Sequence, residues 1–318
     1  MGNVSKAEGL YLQKSPQEIE LWKKRFEARF DKNLIADRGL ALSLYNYAQK
    51  GDLSDPNIEK VLEKDYRIWW MADCITWEIL RMYHLCFDRE EREDLLSIDQ
   101  KFLNAKAEFL RKLKEKHPDQ YYLNTPNICL LSQEIRALLK KPRLTSREIH
   151  RLMWELAETK IQRKSAAFVS KDGEYSYRYG DFIEIISGEV KFIETEHLRH
   201  KSKEPEYAYL IVFEKPDTLD FFYSIRLGFF DFMGDSYYQM SPGSQLIFRL
   251  VGVFGKETHL TLEQLCRIAQ IKIKNITTRR KTIEKYLNEL RQNKFIQGWY
   301  EEGGVYNIFK VPRKRLPW

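Results

Sequence analysis

The stretch "NITTRRKTIEKYLNELRQNKFIQGWYEEGGVYNIFKV", Asn275 to Val311, decides how the rest of the chain is read. Its first half sets Ile283, Tyr286, Leu287 and Leu290 at spacings of three and four, the stripe of an amphipathic helix. Its second half is two β-prone runs, "FIQGWYEE" and "VYNIFKV", around Gly303-Gly304, the signal of a hairpin. With the stripe turned inward, Thr278, Lys281, Lys285 and Asn288 project outward and Arg279 and Thr282 lie on the flanks. Cations in a first helical turn oppose the helix dipole, so helix stability does not account for them. Arg and Asn can each place two hydrogen bonds on a purine edge, and Lys and Thr can hold phosphates, which suits a helix in a major groove. The competing reading is a solvated basic helix packed on a hairpin. Beyond the hairpin, Lys310, Arg313, Lys314 and Arg315 of "KVPRKRLPW" add a basic tail suited to a DNA backbone or a minor groove.

Upstream of this stretch, "SPGSQLIFRLVGVFG" predicts a capped helix with Leu246, Ile247, Leu250 and Val251 inward. "TLEQLCRIAQI" predicts a second, with Thr261 as cap and Leu262, Leu265 and Ile268 on one face. An earlier segment has the same order. "TPNICLLSQEIRALLKK" reads as a helix entered through Thr125 and Pro126, and "TSREIHRLMWELAETKIQRK" as the next. There Thr145 and Glu148 form a T-x-x-E capping box ahead of Ile149, Leu152, Met153 and Leu156, at the same mutual offsets as the stripe from Ile283. "EYSYRYGDFIEIIS", "EVKFIETE" and "YAYLIVFE" follow as strands. The repeated order predicts an α+β, mostly helical chain with tandem winged-helix domains, each a helix-turn-helix plus a β-wing, at 121–215 and 216–318. In the first, Arg147 and Arg151 are assigned to DNA. Glu155 and Glu158 share their face, so phosphate positioning or a protein contact fits them equally.

Residues 1–120 read as helical, either an extension or in part the opening helices of the first winged helix. With 318 residues, 43% apolar, the chain can build two or three cores, and its net charge of +7 favours a polyanionic partner without naming one. Trp69, Trp70 and Trp77 at helical spacing read as core rather than as a platform for bases, and "DREERED" as a solvated run. Cys74, Cys86, Cys129 and Cys266 are widely spaced and read as packed thiols. No signal peptide opens the chain and charges interrupt its most apolar run, so no membrane association and a cytoplasmic, nucleoid- or plasmid-associated location are expected.

Catalysis is not expected. The sequence has no P-loop, no histidine-x-histidine pair and no H-x-x-R step, which argues against nucleotide hydrolysis, rolling-circle nicking and tyrosine recombination. His197 and His200 of "HLRH" lack a third ligand nearby, so neither a metal nor a cofactor is expected.

From about Thr125 to Val311 the chain resembles plasmid replication initiators of the TrfA and Rep type. The resemblance is carried by "MSPGSQLIFRL" at a capped-helix start, the helix-turn-helix after it, and "EIHRLMWELAETKI" with its following strands. It implies sequence-specific binding of double-stranded DNA at repeated origin sites (iterons), origin opening, and recruitment of host replication proteins such as the replicative helicase or its loader. It also implies a balance between monomer and homodimer. Carried over by position, the DNA-reading residues are Thr278, Arg279, Lys281, Thr282 and Lys285. A winged-helix transcriptional regulator on a palindromic operator is the alternative.

Overall fold

Two short helices that follow directly on strands, each ending in a left-handed residue, organise the chain. The computed structural model describes residues 65–87, 100–116, 127–157, 160–162, 166–169, 175–178, 182–184, 191–194, 207–212, 236–252 and 257–311, with Gln17, Glu20, Leu21 and Lys23. The described residues are α+β and fall into two units. The first is Met1–Asp37 with Arg67–Ser224, the second Arg38–Tyr66 with Ile225–Trp318.

The first unit contains α1 (Ile68–Phe87), α2 (Gln100–Lys116), β1 (Asn127–Leu131), α3 (Ser132–Leu138) and α4 (Ser146–Ala157). Then come β2 (Lys160–Gln162), β3 (Ala166–Val169), β4 (Tyr175–Arg178), β5 (Phe182–Glu184), β6 (Lys191–Glu194) and β7 (Tyr207–Val212). Strand β7 lies between β1 and β6 in an antiparallel sheet, while β2 pairs with β5 and β3 with β4. The helix expected from Pro126 onward is corrected here: Asn127–Leu131 is a strand, and the helix starts only at Ser132. All five residues of β1 are buried, because the sheet is covered on both faces. Cys129, Leu131, Ala208 and Leu210 cluster with Phe102, Phe109 and Leu110 of α2, and the alternate residues Ile128, Leu130, Tyr209 and Ile211 are buried on the opposite face. Helix α1 packs on β1, α3 and α4 and α2 packs on β1, so both helices belong to this unit's core. The strands β2 and β3 occupy a stretch whose start was expected to continue α4.

Four charges are sealed into that core. Arg81 of α1 donates to Glu78 at 2.7 Å and to Glu134 of α3 at 3.2 Å, and Lys106 of α2 reaches both carboxylates at 2.9 Å. None of the four side chains is more than 3% exposed. Within this cluster two cations face two anions, the pairing that burial of charge demands. The facing carboxylates hold the Lys106 ammonium protonated against its burial, and burial pushes the neighbouring Cys74 thiol well up. The sequence presents Glu78 and Arg81 only as interruptions of an apolar run; folded, they join three helices.

The second unit runs from a single 3-10 turn, Tyr237–Gln239, through α5 (Pro242–Gly252), β8 (Glu257–Thr261), α6 (Leu262–Ile268) and α7 (Ile276–Gln292) to β9 (Ile296–Glu302) and β10 (Val305–Lys310). Strand β10 lies between β8 and β9, all antiparallel. Strand β8 was not anticipated from the sequence. The hairpin was, and Gly303 (φ 60°) and Gly304 (φ 84°) supply the left-handed pair its turn needs. Ile283, Leu287 and Leu290 are fully buried, as the stripe predicts, and Tyr286 is half-buried.

The two units share one plan. In each a strand leads directly into a seven-residue helix, and seven further residues reach the next helix. Each short helix ends at a left-handed residue, Lys140 (φ 51°) or Gln270 (φ 55°). The following amide then bonds back five residues, Lys141 to the Arg136 carbonyl and Ile271 to the Cys266 carbonyl. In each sheet the last strand is central, and Tyr209 opposite Leu130 has its counterpart in Tyr306 opposite Leu260. Counted from the caps, however, Ile149 falls on Arg279 and not on Ile283, so the matching apolar offsets seen in the sequence align one helical turn out of step. Among the described residues no helix is long and apolar enough to cross a membrane.

Candidate nucleic-acid interface

Helix α7 is held by its own cap and by its neighbours. The Asn275 side chain accepts the Thr278 amide at 3.0 Å, and the Thr278 hydroxyl donates to the same oxygen at 3.3 Å. From the other end, Glu289 reaches across to α5, accepting the Ser241 amide and the hydroxyls of Ser241 and Ser244. A carboxylate on that helix N-terminus satisfies free donors and complements the dipole. Gly243, in the first turn of α5, lies so close to the Tyr286 ring that any Cβ there would collide with it. The "SPG" of the capped-helix start is therefore a docking seat for α7.

On this scaffold the expected reading residues separate. Lys281 and Lys285 are exposed, as is their neighbour Arg280, and none of the three forms a hydrogen bond or ion pair among the described residues. Thr278 is exposed but engaged in the cap. Thr282 is half-buried and donates to the Thr278 carbonyl at 2.8 Å. The Arg279 Nε donates to the Ile273 carbonyl, fastening the interhelical turn to the first turn of α7. Asn288 accepts from the Trp299 indole at 3.3 Å and so ties α7 to β9. The structure leaves Arg280, Lys281 and Lys285 as exposed cations, and puts Arg279, Thr282 and Asn288 to work within the fold.

Residues the sequence reading passed over extend this surface. Lys272 and Lys274 are exposed in the turn, so 272–285 carries six cations and the single acid Glu284. Ile273 and Ile276 are exposed within it. The hairpin tip is the opposite: Glu301 and Glu302 are exposed there, and Glu301 accepts the Gly304 amide at 2.7 Å. Lys310 is half-buried at the end of β10, and Arg313, Lys314 and Arg315 lie outside the described residues.

In the first unit, Arg147 and Arg151 are both exposed on α4, and Arg151 is paired with Glu155 at 3.0 Å. Thr145 and Glu148 make the expected reciprocal cap at 3.1 and 3.2 Å, and Arg67 joins Glu148 at 3.0 Å. The Thr145 amide and hydroxyl, with Arg67, hold the Glu148 carboxyl below the usual glutamate range. Burial lowers His150, which stacks on Tyr207 at 4.6 Å. Among the described residues no three His, Cys, Asp or Glu side chains gather as a metal site, and "HLRH" and "DREERED" lie outside them.

Neither the family models, nor the curated proteins, nor the solved structures contain a match to this chain.

Proposed function

We propose that the second unit is a winged helix and that the protein binds double-stranded DNA by laying the outward face of α7 in the major groove. One observation carries the reading. Among the described residues, Arg280, Lys281 and Lys285 stand exposed without hydrogen-bond or ion-pair partners, on a helix where Arg279, Thr282, Asn288 and Glu289 are committed to holding it in place. Exposed cations on adjoining sides of one helix suit phosphates and guanine edges, and they cost the protein self-repulsion when no anion is present. The acidic hairpin tip would meet repulsion at a phosphate backbone, so the approach is helix-first, with Glu301 and Glu302 held away from the strands.

Within this reading the protein acts as a replication initiator of the plasmid type, engaging repeated origin sites and recruiting host replication proteins, without catalysing a reaction itself. The repeated plan of the two units supports tandem DNA-binding modules, and Arg147 is an exposed cation of the first unit suited to phosphate. The test is a footprint on the DNA flanking the protein's own gene, with the wild type and an Arg280→Ala/Lys281→Ala/Lys285→Ala variant. Protection of directly repeated sites is expected, with the variant's salt slope shallower by about 3. Equal binding by both proteins would overturn the assignment to α7. A single palindromic footprint would replace the initiator by a dimeric regulator.

A further inference from the structure

Among the cations of the turn and of α7 the sequence carries an apolar feature that phosphate binding does not use. Ile276, the first residue of the helix, is 67% exposed, and Ile273 is 41% exposed three residues earlier in the turn. One exposed isoleucine is ordinary on a protein surface. The setting of this one is not ordinary. Lys272 and Lys274 precede it, Arg280 and Lys281 follow it, and all four are exposed. The Arg279 bond to the Ile273 carbonyl fixes the turn on the first helical turn, so the apolar surface is held and not loosely displayed.

The other unit supplies a control. Its residue at the same place after the cap is Ser146, which is fully buried and accepts a hydrogen bond from Arg136 at 2.9 Å. In α4 the first buried apolar residue is the fourth of the helix, Ile149; in α7 it is the eighth, Ile283. Helix α7 thus carries its first turn clear of its own core, with an isoleucine at the leading end.

Resting on the DNA reading above, we infer that Ile276 is a base-reading residue that packs on the C5-methyl group of thymine in the major groove. The thymine methyl is the one apolar group that a base pair presents there, and an aliphatic side chain is its natural partner. Charge complementarity selects the occupant: a polyanion with an apolar spot on its groove floor fits an exposed isoleucine with exposed cations before and after it in the chain, whereas an apolar protein partner would bury those cations. Ile276 therefore contributes discrimination, and Lys281 and Lys285 contribute affinity.

The experiment compares the footprinted duplex synthesised with thymine and again with uracil, which lacks only the methyl. The wild type is expected to bind the thymine duplex about fourfold more tightly for each methyl contacted. Ile276→Ala is expected to bind both duplexes equally, at the wild-type uracil affinity, with an unchanged salt slope. Lys281→Ala should weaken both while keeping their ratio. Equal affinity of the wild type for the two duplexes, or a ratio that persists in Ile276→Ala, overturns the methyl contact and leaves DNA binding standing. Absence of binding to either duplex overturns both.

Discussion

The two units are built on one plan and finished differently. In the first, α2 covers the outer face of the sheet and every residue of β1 is buried. In the second, β8 alternates, with Thr258 and Leu260 buried and His259 and Thr261 exposed. The pair Cys129–Leu210 in one sheet is replaced by His259–Asn307 in the other, where Nδ1 and Oδ1 are 2.6 Å apart. The same substitution of environment occurs at the helix caps. Glu134 and Gln264 occupy equivalent capping positions, yet Glu134 is sealed under α1 and α2 with two cations, and Gln264 is half-exposed. The lesson is that α1 and α2 make the first unit a covered, charge-locked module, whereas among the described residues the second sheet keeps an alternating strand and α7 carries its first turn ahead of its core.

The sharpest way to break that comparison is at the caps. Glu134→Ala should cost about 3–5 kcal/mol in urea unfolding, because it leaves Arg81 and Lys106 buried with one carboxylate between them. Gln264→Ala should cost about 1 kcal/mol or less. Equal losses would mean that the charge quartet does not distinguish the units. Next in size is Gly243→Ala, expected to destabilise the second unit by about 1–3 kcal/mol through the collision with Tyr286. Adding Tyr286→Ala should cost less than the sum of the two single changes, and strict additivity would show that the ring does not set the distance between α5 and α7.

The smallest effect is an acid one. Glu148 has a depressed pKa, so its contribution to α4 is complete above the unfolded glutamate value and is lost as pH falls through the lower folded one. The α7 cap, Asn275 with Thr278, has no titrating group. Hydrogen exchange should therefore show the start of α4 loosening below about pH 4 while the start of α7 holds. Glu148→Gln should remove the difference; simultaneous loosening of both helices in the wild type would refute the local cause.

Local chemistry was legible in the sequence wherever cause and effect lie within a few residues. The T-x-x-E box at Thr145, the cap at Thr261, the stripe from Ile283 and the Gly-Gly hairpin are of this kind. Strands β1 and β8 were not legible, because each runs into its helix with no Gly or Pro between them, and "NICLLSQEI" satisfies helical spacing as readily as extended alternation. The helix ends at Lys140 and Gln270 escape for a related reason: both take a backbone conformation that glycine usually announces. The quartet of Glu78, Arg81, Lys106 and Glu134 spans three helices, and no spacing rule connects them. At the candidate interface, the outward face of α7 could be read from the stripe. The duties of Arg279 and Asn288 could not, since each is committed to a backbone or side chain that only folding brings near.

The helices that cover the first sheet also bear on how this protein can be cut. A fragment beginning at residue 121 would keep β1 and α3 but lose α1 and α2. It would carry Glu134 without either of its cations and expose Cys129, Leu131 and Leu210 together as a sticky surface. Aggregation of that fragment would report on missing ballast and say nothing of DNA. Questions of function are better put to the whole chain, altered one exposed side chain at a time.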